Sequence, residues 1–405
     1  MSGLLVFAAT LLVAVLISGL AHRTVLSTAV LFLAAGFLAG TGVSDLLPLA
    51  PDDRLVETLA ELALFAVLFT DGMRVGLRDL AGAWRLPGRA LLLGLPLTLG
   101  GTAILAHLVA GLPWAESFLI GATLAPTDPV FAAAIVGREE VPARLRYLLN
   151  VESGLNDGLA LPVVVAMLTV VRGQGAGALE VLGEAAFGVA IGVILPWIAI
   201  RLERSRFFAA STAYEPLNAF AIGLLVLAVS VTTGANEFLG AFAAGVTVAT
   251  IAPQVRDAFR RFGDLVSELL KLAALLVFGA LISPSFLTEI DPMGYLFALL
   301  ALVAVRPMAL GMALLGSPLD LRERITVAWF GPKGFASVVY GLLILKSGIG
   351  AGDEMFHLIA VAVAASMIAH SSTDVLVARW FRRREEASEP PPSGDASVVR
   401  RRRGA

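Results

Sequence analysis

Long apolar blocks, separated by short polar stretches, occupy almost the whole chain. Each block holds roughly 20 residues, the length at which a helix crosses the hydrocarbon core of a bilayer. Block length predicts thirteen spans, at 3–21, 25–42, 55–71, 90–111, 115–137, 146–171, 179–200, 216–233, 237–252, 265–284, 293–315, 325–347 and 355–380. The first block has no positive leading region and no small-residue cleavage signal, so it reads as a span and not a signal peptide.

Basic residues provide an independent check. Arg23, the Arg74–Arg89 cluster, Arg138 to Arg146, Arg201 to Arg206, Arg256 to Arg261, Arg322 and Arg324, and Arg379 to Arg384 fall in alternate loops. The other loops hold only Arg54, Arg172 and Lys346. The positive-inside rule then places the N-terminus outside and the C-terminus in the cytoplasm of a plasma (inner) membrane. Arg74 to Arg89 reads as a cytoplasmic surface helix. Beyond Phe381 the chain turns polar, which divides it into a transmembrane domain, 1–381, and a disordered basic tail, 382–405.

Composition agrees with this pattern. Of 405 residues, 58% are hydrophobic and 15% charged, more apolar surface than a soluble fold can bury. The class is an all-α polytopic membrane protein. The chain has no cysteine, which excludes disulfides and thiolate metal sites.

Two spans are interrupted. Span five contains Ala125-Pro126-Thr127-Asp128-Pro129, and span twelve contains Gly331-Pro332-Lys333-Gly334. Paired broken spans in the two halves of a transporter point to a midplane site built by inverted repeats. Both breaks carry an ionisable residue; charge at membrane depth costs several kcal/mol and marks a functional site.

Span six carries Glu152-Ser153-Gly154-Leu155-Asn156-Asp157-Gly158. At about 100° per residue, Glu152, Asn156, Ser153 and Asp157 share one side of the helix. Carboxylate, hydroxyl and carbonyl oxygens suit a hard cation. Pro129 removes a backbone donor and disturbs the preceding turn, freeing carbonyls near Ala125 and Thr127. Asp128 has two open roles, direct ligation or capping of the half-helix that follows it. Arg306, deep in span eleven, needs a carboxylate partner. Glu152 is the choice, with Asp128 or a water cavity as alternatives. Lys333 either neutralises the C-terminal end of the opposing half-helix or lines a cytoplasmic access path. Glu61 lines a cavity, Glu268 and Lys271 form a local pair at three-residue spacing, Asp71 ends span three at the interface, and His370 is a satisfied interfacial histidine.

These motifs resemble the monovalent cation/proton antiporters, in particular the bacterial NhaP-like branch related to animal sodium/proton exchangers. Thr127-Asp128-Pro129 and Glu152 to Gly158 carry the resemblance. Gly234 to Gly245, Arg306-Pro307 and Gly331 to Gly334 follow in the family's order. It implies a homodimer, each protomer having a dimer-forming scaffold and a six-helix bundle with crossed, broken spans five and twelve. Asp157 would bind cation and proton in turn, Ser153, Asn156 and Thr127 would complete or orient the site, Asp128 would balance a helix end, and Glu152 would pair with Arg306. The Asn-Asp pair implies electroneutral exchange. Lys333 departs from the arginine many relatives carry there. Lysine is cationic but lacks the bidentate fork and loses its proton more readily.

The expected function is antiport of a monovalent cation, Na⁺ ahead of K⁺ or Li⁺, against H⁺. No cofactor and no nucleic-acid partner are expected. Proton and cation would compete for one buried carboxylate. Two other classes fit less well. A cation channel would build a ring of like residues on a symmetry axis. An intramembrane aspartyl protease using Asp128 and Asp157 would leave Asn156 and Arg306 without a role.

Overall fold

The structure, a computed structural model, describes residues 2–21, 27–74, 84–128, 141–173, 178–205 and 214–388. Among the described residues every regular element is helical. In chain order these are α1 (Ser2–Ala21), α2 (Thr28–Ala39), α3 (Arg54–Arg74), α4 (Arg85–Val109), α5 (Trp114–Leu124), α6 (Ala143–Val171) and α7 (Ala178–Glu203). There follow α8 (Glu215–Thr233), α9 (Glu237–Ile251), α10 (Pro253–Leu281), α11 (Pro292–Ala313), α12 (Leu321–Trp329), α13 (Phe335–Lys346) and α14 (Gly352–Ser388), with a short turn of helix at Pro284–Glu289. Among them α4, α6, α7, α8, α11 and the first part of α14 are long and apolar enough to cross a membrane. Ser2–Ile17, α2, α9 and α13 are shorter apolar helices.

Local chemistry sets the ends. Gly234, with φ of 70°, closes α8 in the left-handed conformation that glycine adopts without penalty. Two residues later the Asn236 side chain caps α9 by accepting the Leu239 N–H. Asp320 and Glu323 form a reciprocal capping box at the start of α12. Five-residue π-helical segments, Ala90–Gly94 in α4 and Ala301–Val305 in α11, each end two residues before a proline, Pro96 and Pro307. Proline offers no N–H and crowds the preceding turn, and a widened turn absorbs that conflict. In α11 it delivers Arg306 directly after the π segment.

The helices sort into two packed groups. In one, α9 packs on α3 and α7, and α10 on α2 and α3; in the other, α4 packs on α5 and α11, α5 on α6, and α14 on α11 and α13. Small residues bring the first group together, as is common between membrane helices. A Cβ on Gly72 would meet the Phe242 carbonyl oxygen of α9, and one on Gly245 the Phe69 carbonyl oxygen of α3.

Three expectations change. Span ten begins earlier than its apolar block, because Pro253 starts a helix whose polar first half continues into the span. Residues 382–388 are helical, so α14 continues past Phe381; Arg, Glu and Ala there are good helix formers. Of the expected surface helix over Arg74–Arg89, Arg74 is the last residue of α3 and Arg85–Arg89 form the first turn of α4. Residues 75–83, Pro129 and the rest of span five through 140, and 389–405 of the tail lie outside the described residues.

Candidate functional site

Two non-helical segments, 126–128 after α5 and 330–334 between α12 and α13, meet in the second helix group. Helix α5 ends at Leu124, and residues 126–128 are not helical. Helix α12 ends at Trp329 and α13 begins at Phe335, leaving 330–334 non-helical. The Asp128 N–H donates to the Pro332 carbonyl at 2.9 Å. Asp128 Oδ2 accepts the Phe335 N–H at 3.2 Å, and Ser337 Oγ donates to the Thr123 carbonyl at 2.7 Å. Asp128 thus caps α13; the residues after it, where the sequence leads one to expect a half-helix, lie outside the described residues. Gly331 and Gly334 permit the contact. A Cβ on Gly334 would collide with the Asp128 side chain, and one on Gly331 with the Arg306 guanidinium.

Helix α6 brings its polar face to this junction. Glu152, Ser153, Asn156 and Asp157 are all buried. Asn156 Nδ2 donates to Thr127 Oγ1 at 2.6 Å, tying α6 to the first break. Ser153 Oγ donates to the Leu149 carbonyl within its own helix. Tyr340 of α13 donates from its hydroxyl to the Asp157 carbonyl at 3.2 Å. The Asp157 carboxylate accepts no hydrogen bond among the described residues. Asn156 Oδ1 and Thr123 Oγ1, also buried, have no partner there. Unsatisfied buried oxygens beside a carboxylate are a donor set a hard monovalent cation can use.

Arg306 crosses from α11 to Glu152, with Nη1 and Nη2 at 2.8 and 3.2 Å from the two carboxylate oxygens. Nη2 also donates to the Phe330 carbonyl at 3.2 Å, at the C-terminal end of α12. Arg306 thus balances the C-terminal end of α12 at Phe330. Lys333 is buried; its backbone N–H donates to Ser366 Oγ at 2.8 Å, and its ammonium has no hydrogen-bond partner among the described residues. His370 is buried, and its ring is satisfied as expected. Its ring nitrogens lie 2.9 Å from the Trp329 carbonyl and 2.7 Å from the Ser366 carbonyl, so it braces the end of α12.

Two charged residues at the site escaped the sequence reading. Asp71 is 1% exposed, because the Gly72–Gly245 contact closes α9 over it. Arg74 Nη1 meets Asp71 Oδ1 at 3.0 Å, and Arg74 Nη2 meets Asp264 at 2.7 Å. Lys271 of α10 does not form the expected local ion pair with Glu268; its ammonium meets Asp128 Oδ1 at 3.4 Å instead. Asp157 interacts electrostatically with Asp71, Asp128 and Lys271. The available signal was burial-length periodicity: Asp71 and Lys271 both sit in apolar runs, where a charge is expensive.

Comparisons with known proteins place the chain in a family. The sequence profile described as sodium/hydrogen exchanger, transmembrane, matches residues 8–380. The K(+)/H(+) antiporter NhaP2 of Shewanella oneidensis is 24% identical over 380 residues, covering 91% of this chain. The chain spans 65% of that relative's own length. The K(+)/H(+) antiporter NhaP of Alkalimonas amylolytica is 25% identical over 392 residues, covering 94% of this chain and 67% of the relative. Among solved structures, the sodium proton antiporter MjNhaP1 of Methanocaldococcus jannaschii superposes with a TM-score of 0.76 at 19% identity, covering 94% of this chain and 99% of that one. At that identity the likeness speaks for the fold.

Proposed function

The chain belongs to the transmembrane sodium/hydrogen exchanger family, and from that premise and the site geometry we propose that it is a secondary antiporter exchanging a monovalent cation for H⁺. The observation that carries the reading is the junction itself. The buried Asp157 carboxylate is held by α6 beside the two breaks, with Asn156 tied to Thr127 and Asp128 tied to Phe335. Asp157 binds the cation or the proton, not both. Ser153, Thr127 and Asn156 offer or orient oxygens, and Asp128 serves the site through the α13 cap. Glu152 and Arg306 balance each other's charge next to it, and Lys333 adds a buried cation at the second break.

The relatives' names divide over the cation. The sequence reading favours Na⁺ and the solved neighbour MjNhaP1 is named a sodium proton antiporter, while NhaP2 and NhaP are named K⁺/H⁺ antiporters. The full arrangement proposed is thirteen spans in inverted repeats, with broken spans five and twelve crossing at the site. It sits as a homodimer in the plasma membrane, with the N-terminus outside and the C-terminus in the cytoplasm. Exchange is electroneutral, because one carboxylate carries either one proton or one cation.

Reconstitution tests this. In voltage-clamped proteoliposomes, added Na⁺, K⁺ or Li⁺ dissipates a preset pH gradient, and the cation that does so is the substrate. Asp157→Asn abolishes the response. A voltage-driven leak that does not saturate with cation identifies a channel instead.

A further inference from the structure

Lys271 has no part in the exchange step just proposed, yet its ammonium meets one of the site's residues, Asp128. It lies on α10, in the first helix group, and is 5% exposed. Its ammonium crosses to the second group and meets Asp128 Oδ1 at 3.4 Å, while Asp128 Oδ2 stays on the α13 cap. Asp71 and Asp157 both lie within its electrostatic reach. Its close carboxylate contact is thus Asp128, the residue that caps α13. Arg74 is engaged by Asp71 and Asp264, and Glu268 sits one turn before Lys271 on α10.

A fixed positive charge beside a cation site repels the cation, and at low dielectric the effect is strong. The 3.4 Å contact lies beyond the usual range for an ammonium on a carboxylate, so the ammonium is loosely held. We propose that Lys271 is a tethered competitor for the transported cation: its ammonium occupies part of the acid cluster's field and lowers the site's affinity for the free ion. This rests on the antiport reading. It makes Lys271 a residue that sets affinity without touching the cation. Because α10 and the breaks belong to different helix groups, the strength of the competition changes whenever those groups shift against each other.

The test is the KM of the exchanged cation in proteoliposomes, at an alkaline pH where protons compete least. Lys271→Gln is expected to lower KM at least about threefold, with kcat changing less than KM, since one unit charge is removed from the field. Lys271→Arg keeps the wild-type KM. Removal of the ammonium leaves Asp128 buried with less compensation, which threatens folding, so a second pair is measured. Adding Lys271→Gln to Asp128→Asn lowers KM relative to Asp128→Asn alone by a similar factor. An unchanged or raised KM in both comparisons overturns the proposal. Loss of exchange in the wild-type protein, or its survival in Asp157→Asn, counts against the antiport reading and is recognised separately.

Discussion

Asp128 holds Phe335 across 207 positions of sequence: its Oδ2 accepts the Phe335 N–H at 3.2 Å, so a carboxylate in the first break caps the helix that leaves the second. The same side chain meets Lys271. Removing it uncaps α13 and strips a buried ammonium of a partner. We expect Asp128→Ala to cost about 3–5 kcal/mol. Asp128→Asn keeps a cap acceptor and costs less, by about 1 kcal/mol. Thermal unfolding in detergent ranks the two.

Gly334 lies against the Asp128 side chain, with no room for a Cβ, whereas Gly311 has open space around it. Gly334→Ala is expected to destabilise by about 1–3 kcal/mol through overpacking and to reduce exchange by prising the breaks apart. Gly311→Ala, inside α11, is neutral or stabilising by up to about 1 kcal/mol. The same unfolding assay, run beside transport, separates them.

Glu152 and Arg306 are both buried and paired at two points. Glu152→Gln leaves a guanidinium without its counter-charge, with an expected loss of about 3–5 kcal/mol. Replacing both with apolar residues of similar volume recovers much of that stability, since the desolvation cost of two ions disappears. Exchange does not recover with it, because Phe330 also loses its donor.

Thr127→Val removes the hydroxyl that accepts from Asn156 and an oxygen offered to the cation. An increase of about tenfold in cation KM, equivalent to about 1.4 kcal/mol, is expected, with a smaller change in kcat. An unchanged KM would show that Thr127 only holds the helices together.

How far the sequence carries depends on whether the deciding contact is local. The polar face of α6 follows from helix periodicity, and Arg306 follows from the cost of a lone charge at depth. Both breaks are announced by Pro and Gly. By contrast, Asp71 looks interfacial until α9 closes on Gly72, and that closure depends on glycines 173 positions apart, Gly72 and Gly245. Lys271 has an adequate local partner in Glu268, so nothing in the sequence sends it to Asp128. Arg306 reaches the Phe330 carbonyl only because α11 packs on α12, which no local pattern announces. The C-terminal boundary failed for a simpler reason: a polar segment with good helix formers extends an existing helix without needing a core.

The most direct test of the central claim is the number of protons released when the cation binds. Isothermal titration of detergent-solubilised protein, repeated in two buffers of different ionisation enthalpy, gives that number. If Asp157 exchanges one proton for one cation, release approaches about one proton per cation bound below the site's own titration and falls to zero above it. Release disappears in Asp157→Asn. Cation binding without proton release at any pH, or release that persists in Asp157→Asn, would contradict competition at this carboxylate.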